Sequence, residues 1–326
     1  MRPLIVIAGP TACGKTNLSL LMAKKLDTQI ISADSMQIYK YMDIGTAKVD
    51  LETRKEIKHY MVDEIDPGQN FSVADYQMQT KKYLDMIYSQ NKIPILCGGT
   101  GFYINAILYD NDFSSEQNDF SIRDELYKLS DAQLWQKLLE IDAKSAKIIH
   151  PNNKKRIVRA IEFFYQTGQK ISDHNAIQKQ NELKYDALFV ILTLPRQILY
   201  ERIEKRVDKM IEEGLVDEVK KLLAMGYEKK LNSMQAIGYK EIISHLENEI
   251  TLEQAISLIK KNTRHYAKRQ LTWFRHQSNG IWIDKSNFKN DSEIGDYVLQ
   301  LVNDKINSKK NTVCKIAHTV NRKTNY

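Results

Sequence analysis

The feature that most constrains the fold of this chain is a glycine-rich segment near its N-terminus, GPTACGKT at residues 9–16. It follows an apolar run at residues 4–8 and precedes a stretch at 17–26 with helical spacing. The segment fits G-x-x-x-x-G-K-[ST] between a strand and a helix, the phosphate-binding P-loop pattern. Its glycines let backbone N–H groups turn toward an anion, and the helix N-terminus adds its dipole. The segment therefore predicts a phosphate or diphosphate ligand, without indicating which one.

Short apolar runs alternate with helical patterns along the first hundred residues. Runs at 29–34, 60–65 and 92–97 follow the first one, and residues 73–89 have helical spacing. Strands that alternate with helices predict a parallel sheet with crossover helices, whose ligands bind at the carboxyl ends of the strands. The pattern therefore predicts an α/β fold, a P-loop NTPase-like parallel sheet flanked by helices.

The sequence changes in character at about residue 113. Residues 113–185 show helical periodicity and little strand signal, and residues 187–194 are again an apolar strand. A helical insertion between two strands of one sheet is the simplest interpretation. We therefore predict three parts: a P-loop catalytic core of residues 1–112 and 186–304, a helical insertion domain of residues 113–185, and a tail of residues 305–326.

The C-terminal part contains two long helical patterns, at residues 198–225 and 251–276, and a short strand pattern at 280–284. Residues 305–326 hold basic residues and no acid, which predicts a solvated, disordered tail. Much of the net charge of +7 lies in this tail. Basicity alone therefore does not indicate a nucleic-acid partner.

Composition narrows the class of protein. Apolar residues make up 42% of the 326 residues and charged residues 27%, as in globular proteins. The apolar runs are too short to span a membrane, and the first one indicates a buried strand and not a signal peptide. The three cysteines form no Cys-x-x-Cys pair, which favours a reducing compartment. We expect a cytoplasmic protein that acts as a monomer and has no membrane partner.

Candidate catalytic residues follow the predicted strands. Asp34 ends the second strand, where it would hold Mg²⁺, act as a general base, or cap the next turn. Thr100 lies in a glycine-rich loop after the strand that ends at Cys97, and its hydroxyl can donate and accept hydrogen bonds. In the P-loop, Lys15 would reach the terminal phosphates and Thr16 would bind Mg²⁺.

Two helical segments are basic and poor in acids. One contains Lys155, Arg156 and Arg159, and the other contains Arg264 and Lys268. Each of them is also compatible with an ordinary solvated helix face, but two such helices on one phosphate-binding enzyme favour a polyanionic partner. Arg202 fits two interpretations equally, an ion pair with nearby acids or a clamp on the diphosphate.

The full set of motifs resembles the tRNA dimethylallyltransferase family, also called tRNA isopentenyltransferases or IPP transferases. The matching segments cover roughly residues 1–285 in the family's order. They are GPTACGKT at 9–16, DSMQIY at 34–39, MDIGTAK at 42–48, FSVADYQ at 71–77, GGTGFYI at 98–104, RIVRAIE at 156–162, RVDKMIEEGLVDEV at 206–219, IGYKE at 237–241 and TRHYAKRQLTWFR at 263–275.

The resemblance implies a reaction. A dimethylallyl group would pass from dimethylallyl diphosphate to the exocyclic N6 amine of the adenosine 3′-adjacent to the anticodon. The tRNAs would be those that read codons starting with U, and the products would be N6-dimethylallyladenosine and diphosphate. Mg²⁺ would assist. The P-loop, an ATP-binding motif in other proteins, would bind the prenyl diphosphate, so that no ATP hydrolysis is needed.

The resemblance also implies roles for single residues. Asp34 would be the general base, and Thr100 and Lys15 would be catalytic with it. The diphosphate would be bound by Gly9, Thr11, Ala12, Cys13, Gly14, Lys15, Thr16 and Arg206, with Mg²⁺ on Thr16. Contacts with tRNA are expected at Asp34, Ser35, Met36, Gln37, Thr100, Arg123, Lys155, Arg156 and Arg159, and from the charge pattern also at Arg264 and Lys268.

The chain departs from the family pattern at three places. Lys155 stands where glutamine is usual, which bears on one base contact, and Cys13 replaces the usual serine. Some relatives have a C-terminal zinc finger, whereas Cys314 and His318 alone cannot supply four zinc ligands.

Two other functions fit part of the sequence. A small-molecule or nucleotide kinase would use the same P-loop, but it leaves the basic helices and the GGTGFYI segment unexplained. A non-catalytic RNA-binding protein with a nucleotide switch leaves Asp34 and Thr100 without a role. ATP turnover without RNA would favour the kinase.

Overall fold

The computed structural model describes residues 1–111, 113, 121–178 and 181–305, which form two compact units. The first unit contains Met1–Ser72, Tyr76–Ile104 and the described residues from Tyr185 onward. The second contains Val73–Asp75 and the described part of Asn105–Lys184. For comparison, the sequence predicts an insertion domain at residues 113–185.

A six-stranded sheet forms the centre of the first unit, and all its strand pairs are parallel. The order in space is β3-β2-β4-β1-β5-β6. The strands are β1 Arg2–Ala8, β2 Ile30–Ser32, β3 His59–Tyr60, β4 Ile95–Gly98, β5 Tyr185–Thr193 and β6 Ile281–Asp284. In the register of the three central strands, Ala8 lies opposite both Gly98 and Ile191. The carboxyl ends of these strands therefore meet at one edge, as the alternating pattern predicts.

Helices connect and cover the strands. Five consecutive residues of β1, Leu4 to Ala8, are buried, which requires apolar cover on both faces of the sheet. Part of that cover comes from Leu18, Ile203, Ala267 and Val298 on four different helices. The helices of this unit are α1 Lys15–Lys25, α2 Leu51–Glu56, α3 Val73–Ser89, α4 Gly101–Leu108, α10 Arg196–Glu212, α11 Leu215–Ala224, α12 Tyr239–Leu246, α13 Leu252–Gln277 and α14 at 291–305, with α3 and α4 each running into the second unit.

The second unit is helical in its described part. Its core is formed by apolar residues such as Leu134, Leu138, Ile157 and Ile161, which are fully buried. The spacing of Ile157 and Ile161, four residues apart, places both on one face of a helix. The helices are α5 Ser121–Lys128, α6 Asp131–Ile141, α7 Ala143–Ile148, α8 Lys154–Thr167 and α9 Ile171–Gln178.

The structure corrects three local predictions. The strand expected at residues 60–65 is only His59–Tyr60, because Met61 and Asp63 have φ values of 62° and 59° that end the extended backbone. The helix expected at 198–225 is two helices, separated at Gly214 with a φ of 99°. The tail is predicted to begin at Lys305, but that residue is helical and belongs to α14, and its Nζ donates to the Ala187 carbonyl at 2.7 Å.

The rest of the predicted tail, residues 306–326, lies outside the described residues. Within the part of the chain that is described, no helix is both long enough and apolar enough to cross a membrane.

Candidate active site

The P-loop joins β1 to α1 and has the backbone geometry that phosphate binding requires. Gly9 has a φ of 145°, and a Cβ there would lie 2.4 Å from the Leu192 carbonyl oxygen, so only glycine fits. Gly14, with a φ of 94°, is the N-cap of α1, whose first turn has no acidic residue. The first N–H groups of a helix have no intrahelical acceptor and attract anions. The loop therefore presents backbone donors at the carboxyl edge of the sheet.

Among the side chains of the P-loop, one points into the hydrophobic core and others lie outside it. Cys13 is fully buried and belongs to the hydrophobic core, which makes its contribution to the site a backbone one. Thr16 is exposed. The ammonium of Lys15 lies across the loop and donates to the Pro10 carbonyl at 2.7 Å. Lys15 and Thr16 thus both lie at the P-loop, and their phosphate and metal contacts stay predictions.

Asp34 and Thr100 follow the neighbouring strands β2 and β4, and backbone hydrogen bonds join their loops. The Thr100 N–H donates to the Ala33 carbonyl at 3.0 Å, and the Ser35 N–H donates to the Thr100 hydroxyl oxygen at 3.2 Å. A Cβ on Gly98 would lie 2.1 Å from the Ala33 carbonyl oxygen, so glycine is required for this approach. The structure therefore brings the two predicted catalytic residues together.

One oxygen of Asp34 is held by the turn that follows it. Oδ1 accepts the Met36 N–H at 2.9 Å, which is the capping role that the sequence left open. No hydrogen bond to Oδ2 is seen among the described residues. Capping and catalysis are therefore compatible, because the turn orients the carboxylate and leaves its second oxygen for another partner.

Two further side chains are electrostatically coupled to Asp34. Burial lowers the pKa of Arg206 on α10, and the negative charge of Asp34 opposes that shift. An arginine stays charged even so, because its ordinary pKa lies far above neutrality. Burial also raises the pKa of Tyr266 on α13, and the charge of Asp34 raises it further. The site thus contains a half-buried cation and a protonated phenol beside the carboxylate.

A second basic group, which no sequence motif indicates, lies beside the P-loop. Lys285, just after β6, is buried, and its Nζ would lie 2.5 Å from a Cβ on Gly14. Asp291 accepts from Lys285 at 2.6 Å and from Asn17 on α1 at 3.0 Å. Burial alone would raise the pKa of Asp291, but these two hydrogen bonds bring it below its ordinary value. No sequence pattern predicts Lys285, because only the parallel pairing of β6 with β5 brings it to the P-loop.

Comparison with known proteins decides the family. A family model described as IPP transferase matches residues 37–277. A protein named tRNA dimethylallyltransferase from Lachnoclostridium phytofermentans is 46% identical over 309 residues, which cover 94% of this chain and 99% of that protein. A protein with the same name from Acetivibrio thermocellus is 48% identical over 298 residues, which cover 90% of this chain and 95% of that protein. This chain belongs to the tRNA dimethylallyltransferase family.

Solved structures agree with this assignment. The tRNA delta(2)-isopentenylpyrophosphate transferase of Staphylococcus epidermidis has a TM-score of 0.70 and 42% identity, and the match covers 93% of this chain and 100% of that one. A eukaryotic dimethylallyltransferase acting on tRNA has a TM-score of 0.81 and 30% identity, and the match covers 94% of this chain and 80% of that one. The predicted family, the enzyme class and the α/β fold with a P-loop NTPase-like sheet are confirmed.

Three of the segments that carry the family resemblance pack together through one carboxylate. The Glu218 carboxylate accepts the N–H groups of Asp43, Ile44 and Gly45 at 2.8, 2.8 and 3.0 Å, and the Tyr239 hydroxyl at 2.6 Å. These residues come from the segments MDIGTAK, RVDKMIEEGLVDEV and IGYKE. The Thr46 carbonyl in the same loop accepts a hydrogen bond from the side-chain amide of Gln37 at 3.2 Å. The side chain of Gln37, a predicted tRNA contact, is therefore fixed by the protein.

Predicted tRNA contacts in the second unit fall into two groups. Arg123 and Arg159 both pair with Glu162, which is 1% exposed, at 2.7 and 3.4 Å. Removing either arginine therefore disturbs a buried carboxylate as well as any RNA contact. Lys155 and Arg156 at the start of α8 are exposed, and within the described ranges neither has an ion-pair partner. Replacing Lys155 or Arg156 therefore tests an RNA contact without breaking an ion pair of the protein.

The basic face of α13 is less basic than the sequence suggests. Arg264 pairs with Glu204 at 2.6 Å and Lys260 pairs with Asp208 at 2.6 Å, so α10 supplies acids to the stretch of α13 at 260–276, which has none of its own. Lys268 is exposed. The positive charge of Arg202 helps to lower the pKa of Asp291, the carboxylate that binds Lys285 beside the P-loop, and both interpretations of Arg202 stay predictions. Contacts of Arg264 and Lys268 with tRNA stay predictions.

Proposed function

We propose that this chain transfers the dimethylallyl group of dimethylallyl diphosphate to N6 of the adenosine 3′-adjacent to the anticodon, in tRNAs that read codons starting with U. The observation that carries the proposal is the joining of Asp34 and Thr100 at the carboxyl edge of the sheet that also holds the P-loop. A kinase needs a P-loop, but this pair beside it suits the removal of a proton from an amine.

The reaction needs charge to be stabilised at one end and a proton to be removed at the other. The allylic C–O bond breaks, and its electron pair leaves with the diphosphate. The P-loop amides, Lys15 and Arg206 stabilise that growing negative charge. N6 of the adenine forms the new C–N bond, and its proton passes to Asp34. Thr100 orients the amine through its hydroxyl. Because the adenine ring must reach a site inside the protein, the adenosine leaves its stack in the anticodon loop.

We infer that Mg²⁺ assists at Thr16. The described residues contain no group of three His, Cys, Asp or Glu side chains that could hold a metal by themselves. An exposed hydroxyl next to a phosphate loop fits Mg²⁺, which keeps several waters and takes its remaining ligands from substrate phosphates. When bound, the metal neutralises charge on the leaving diphosphate. A cytoplasmic location and a monomeric state remain predictions.

The direct test is a transfer assay. Purified protein, Mg²⁺, labelled dimethylallyl diphosphate and unmodified tRNA are incubated, and label in the RNA is measured and mapped by nuclease digestion and mass spectrometry. We expect label on N6 of the adenosine 3′ to the anticodon. A matched tRNA with guanosine at that position should take up none. Label that appears equally in both RNAs, or transfer from ATP in place of the prenyl diphosphate, would contradict the proposal.

The exposed pair Lys155 and Arg156 gives a prediction about RNA binding. Each basic side chain that contacts a phosphate adds about 0.7–0.9 to the salt dependence of log K. Replacing both residues by glutamine should weaken tRNA binding and reduce that slope by about 1.4–1.8. The measurement is a titration of tRNA binding at several salt concentrations.

A matched control replaces two other exposed lysines of the same unit, Lys147 and Lys170, by glutamine. This variant loses the same charge at positions outside the predicted contact. If both double variants changed the slope by the same amount, net charge and not a contact at the start of α8 would govern binding.

A further inference from the structure

A buried glutamine on α13 connects two loops of the active site. Gln270 is 6% exposed. Its Oε1 accepts the Thr11 N–H of the P-loop at 2.9 Å, and its Nε2 donates to the Gly99 carbonyl at 3.0 Å. The partners fix the orientation of the amide, because an N–H needs an acceptor and a carbonyl needs a donor. One side chain thus bridges the loops that follow β1 and β4.

These two loops carry the two halves of the proposed chemistry. The first holds the diphosphate, and the second places Thr100 directly after Gly99. The approach is close, since a Cβ on Gly99 would lie 2.1 Å from Nε2 of Gln270. A buried donor or acceptor that loses its partner costs far more than a neutral exchange of hydrogen bonds. A side chain that cannot both donate and accept therefore leaves one loop unsatisfied.

Tyr266 lies one turn earlier on α13, beside the same loop. Its hydroxyl lies close enough to the side chains of Thr100 and Gln270 for both to influence its pKa. Burial raises the pKa of this phenol, so that it stays protonated. The spacing of four residues places Tyr266 and Gln270 on one face of the helix. Two residues of α13 consequently lie close to the Thr100 loop. Tyr266 lies near the Thr100 side chain, and Gln270 donates to the neighbouring Gly99 carbonyl.

We propose that Gln270 is a positioning residue that sets the P-loop and the Thr100 loop in register with each other, so that the leaving diphosphate and the attacking amine face each other correctly. This inference rests on the proposed function and names a residue that acts through Thr11, Gly99 and Thr100. A misplacement of reacting groups by about 1 Å can lower a rate about 10²-fold.

The test exploits the chemistry of the amide. In Gln270→Glu, the ionised carboxylate still accepts from Thr11 but repels the Gly99 carbonyl. The protonated acid both accepts and donates, and therefore reproduces the amide. We expect kcat of this variant to fall about tenfold to a hundredfold at pH 8.5. The ratio of variant to wild-type kcat should then rise as the pH is lowered to 5.5, because burial raises the pKa of a carboxyl group.

Taking this ratio cancels any pH dependence that the variant shares with the wild type. Both proteins contain the same charged and titratable groups of the site, namely Tyr266 and Arg269 on α13, Asp34 after β2, Lys15 on α1, Cys97 on β4 and Arg206 on α10. KM for tRNA should change less than about twofold, since Gln270 is buried and touches two loops of the protein.

Further variants keep the test decisive. Gln270→Met fills a similar volume without hydrogen bonds, and its kcat should be low at every pH. Combined with Thr100→Ala, it should lower kcat by less than the product of the single effects, because both act on one loop. Gln197→Glu makes the same exchange at an exposed position of α10 and should leave kcat near the wild-type value.

A pH-independent loss in a folded Gln270→Glu, or wild-type kcat in Gln270→Met, would overturn the positioning role. If Gln270→Glu does not fold, fully additive effects of Gln270→Met and Thr100→Ala would overturn it equally. Failure of the proposed function is distinguishable from these outcomes, since the wild type itself would then transfer no label.

Discussion

Replacing Asp34 by asparagine is expected to lower kcat about 10²–10⁴-fold, the usual contribution of a positioned general base. Asparagine keeps an oxygen that can accept the Met36 N–H, which holds the turn after β2 in place. It cannot take a proton from the adenine amine. The loss should therefore appear in kcat and in the rate constant measured under single-turnover conditions. The affinity for tRNA should change less than about threefold.

Asp27→Asn is the matched control for this prediction. Asp27 lies just before β2, its side chain is exposed, and its φ of 44° is a conformation that asparagine also tolerates. Its variant should turn over like the wild type. An Asp34→Asn enzyme that retained a third or more of the wild-type kcat would show that another group, or water, removes the proton.

Replacing Lys15 by methionine should produce the second large effect. The ammonium lies 2.7 Å from the Pro10 carbonyl, at the open side of the P-loop, where the charge of the leaving diphosphate grows. Loss of one preorganised donor of this kind typically costs about 10²–10³ in kcat, or about 3–4 kcal/mol. We expect a loss of that size in kcat and weaker binding of inorganic diphosphate, measured by calorimetry, while tRNA affinity stays the same.

Lys24→Met tests whether any charge on α1 has this effect. Lys24 is exposed on the same helix and pairs with Glu56 at 2.9 Å, an ion pair of a kind that contributes about 0–1 kcal/mol at a surface. Its variant should bind diphosphate and turn over normally. Equal losses in Lys15→Met and Lys24→Met would mean that the general charge of the helix, and not a contact at the P-loop, binds the diphosphate.

Much of the first unit could be predicted because its signals are local. The apolar run of β1, the helical spacing of α3 and the P-loop between a strand and a helix depend on residues that are neighbours in sequence. The same holds for Asp34, which directly follows β2. Where local signals conflict, the prediction was wrong: residues 198–225 read as one helix, although Gly214 allows the left-handed backbone that divides α10 from α11.

Partners that come from distant parts of the chain were not predictable. Glu204 neutralises Arg264 from another helix, and Glu162 pairs with Arg123 in the second unit from 39 residues away. Acid-poor segments therefore looked more basic in sequence than they are in space. Charge patterns within one helix describe its own face, whereas ion pairs depend on which helices pack together.

The sequence by itself determined the family, the parallel sheet and the position of the P-loop, because a short motif between a strand and a helix has one common geometry. It also placed Asp34 and Thr100 after two strands of that sheet, while their catalytic roles stay predictions. Only the tertiary structure decided which groups surround that pair. Gln270 and Lys285 reach the P-loop from positions more than 250 residues away, one through the packing of α13 and the other through the pairing of β6. Such contacts arise from the burial of whole helices and strands, which has no counterpart in any short stretch of sequence.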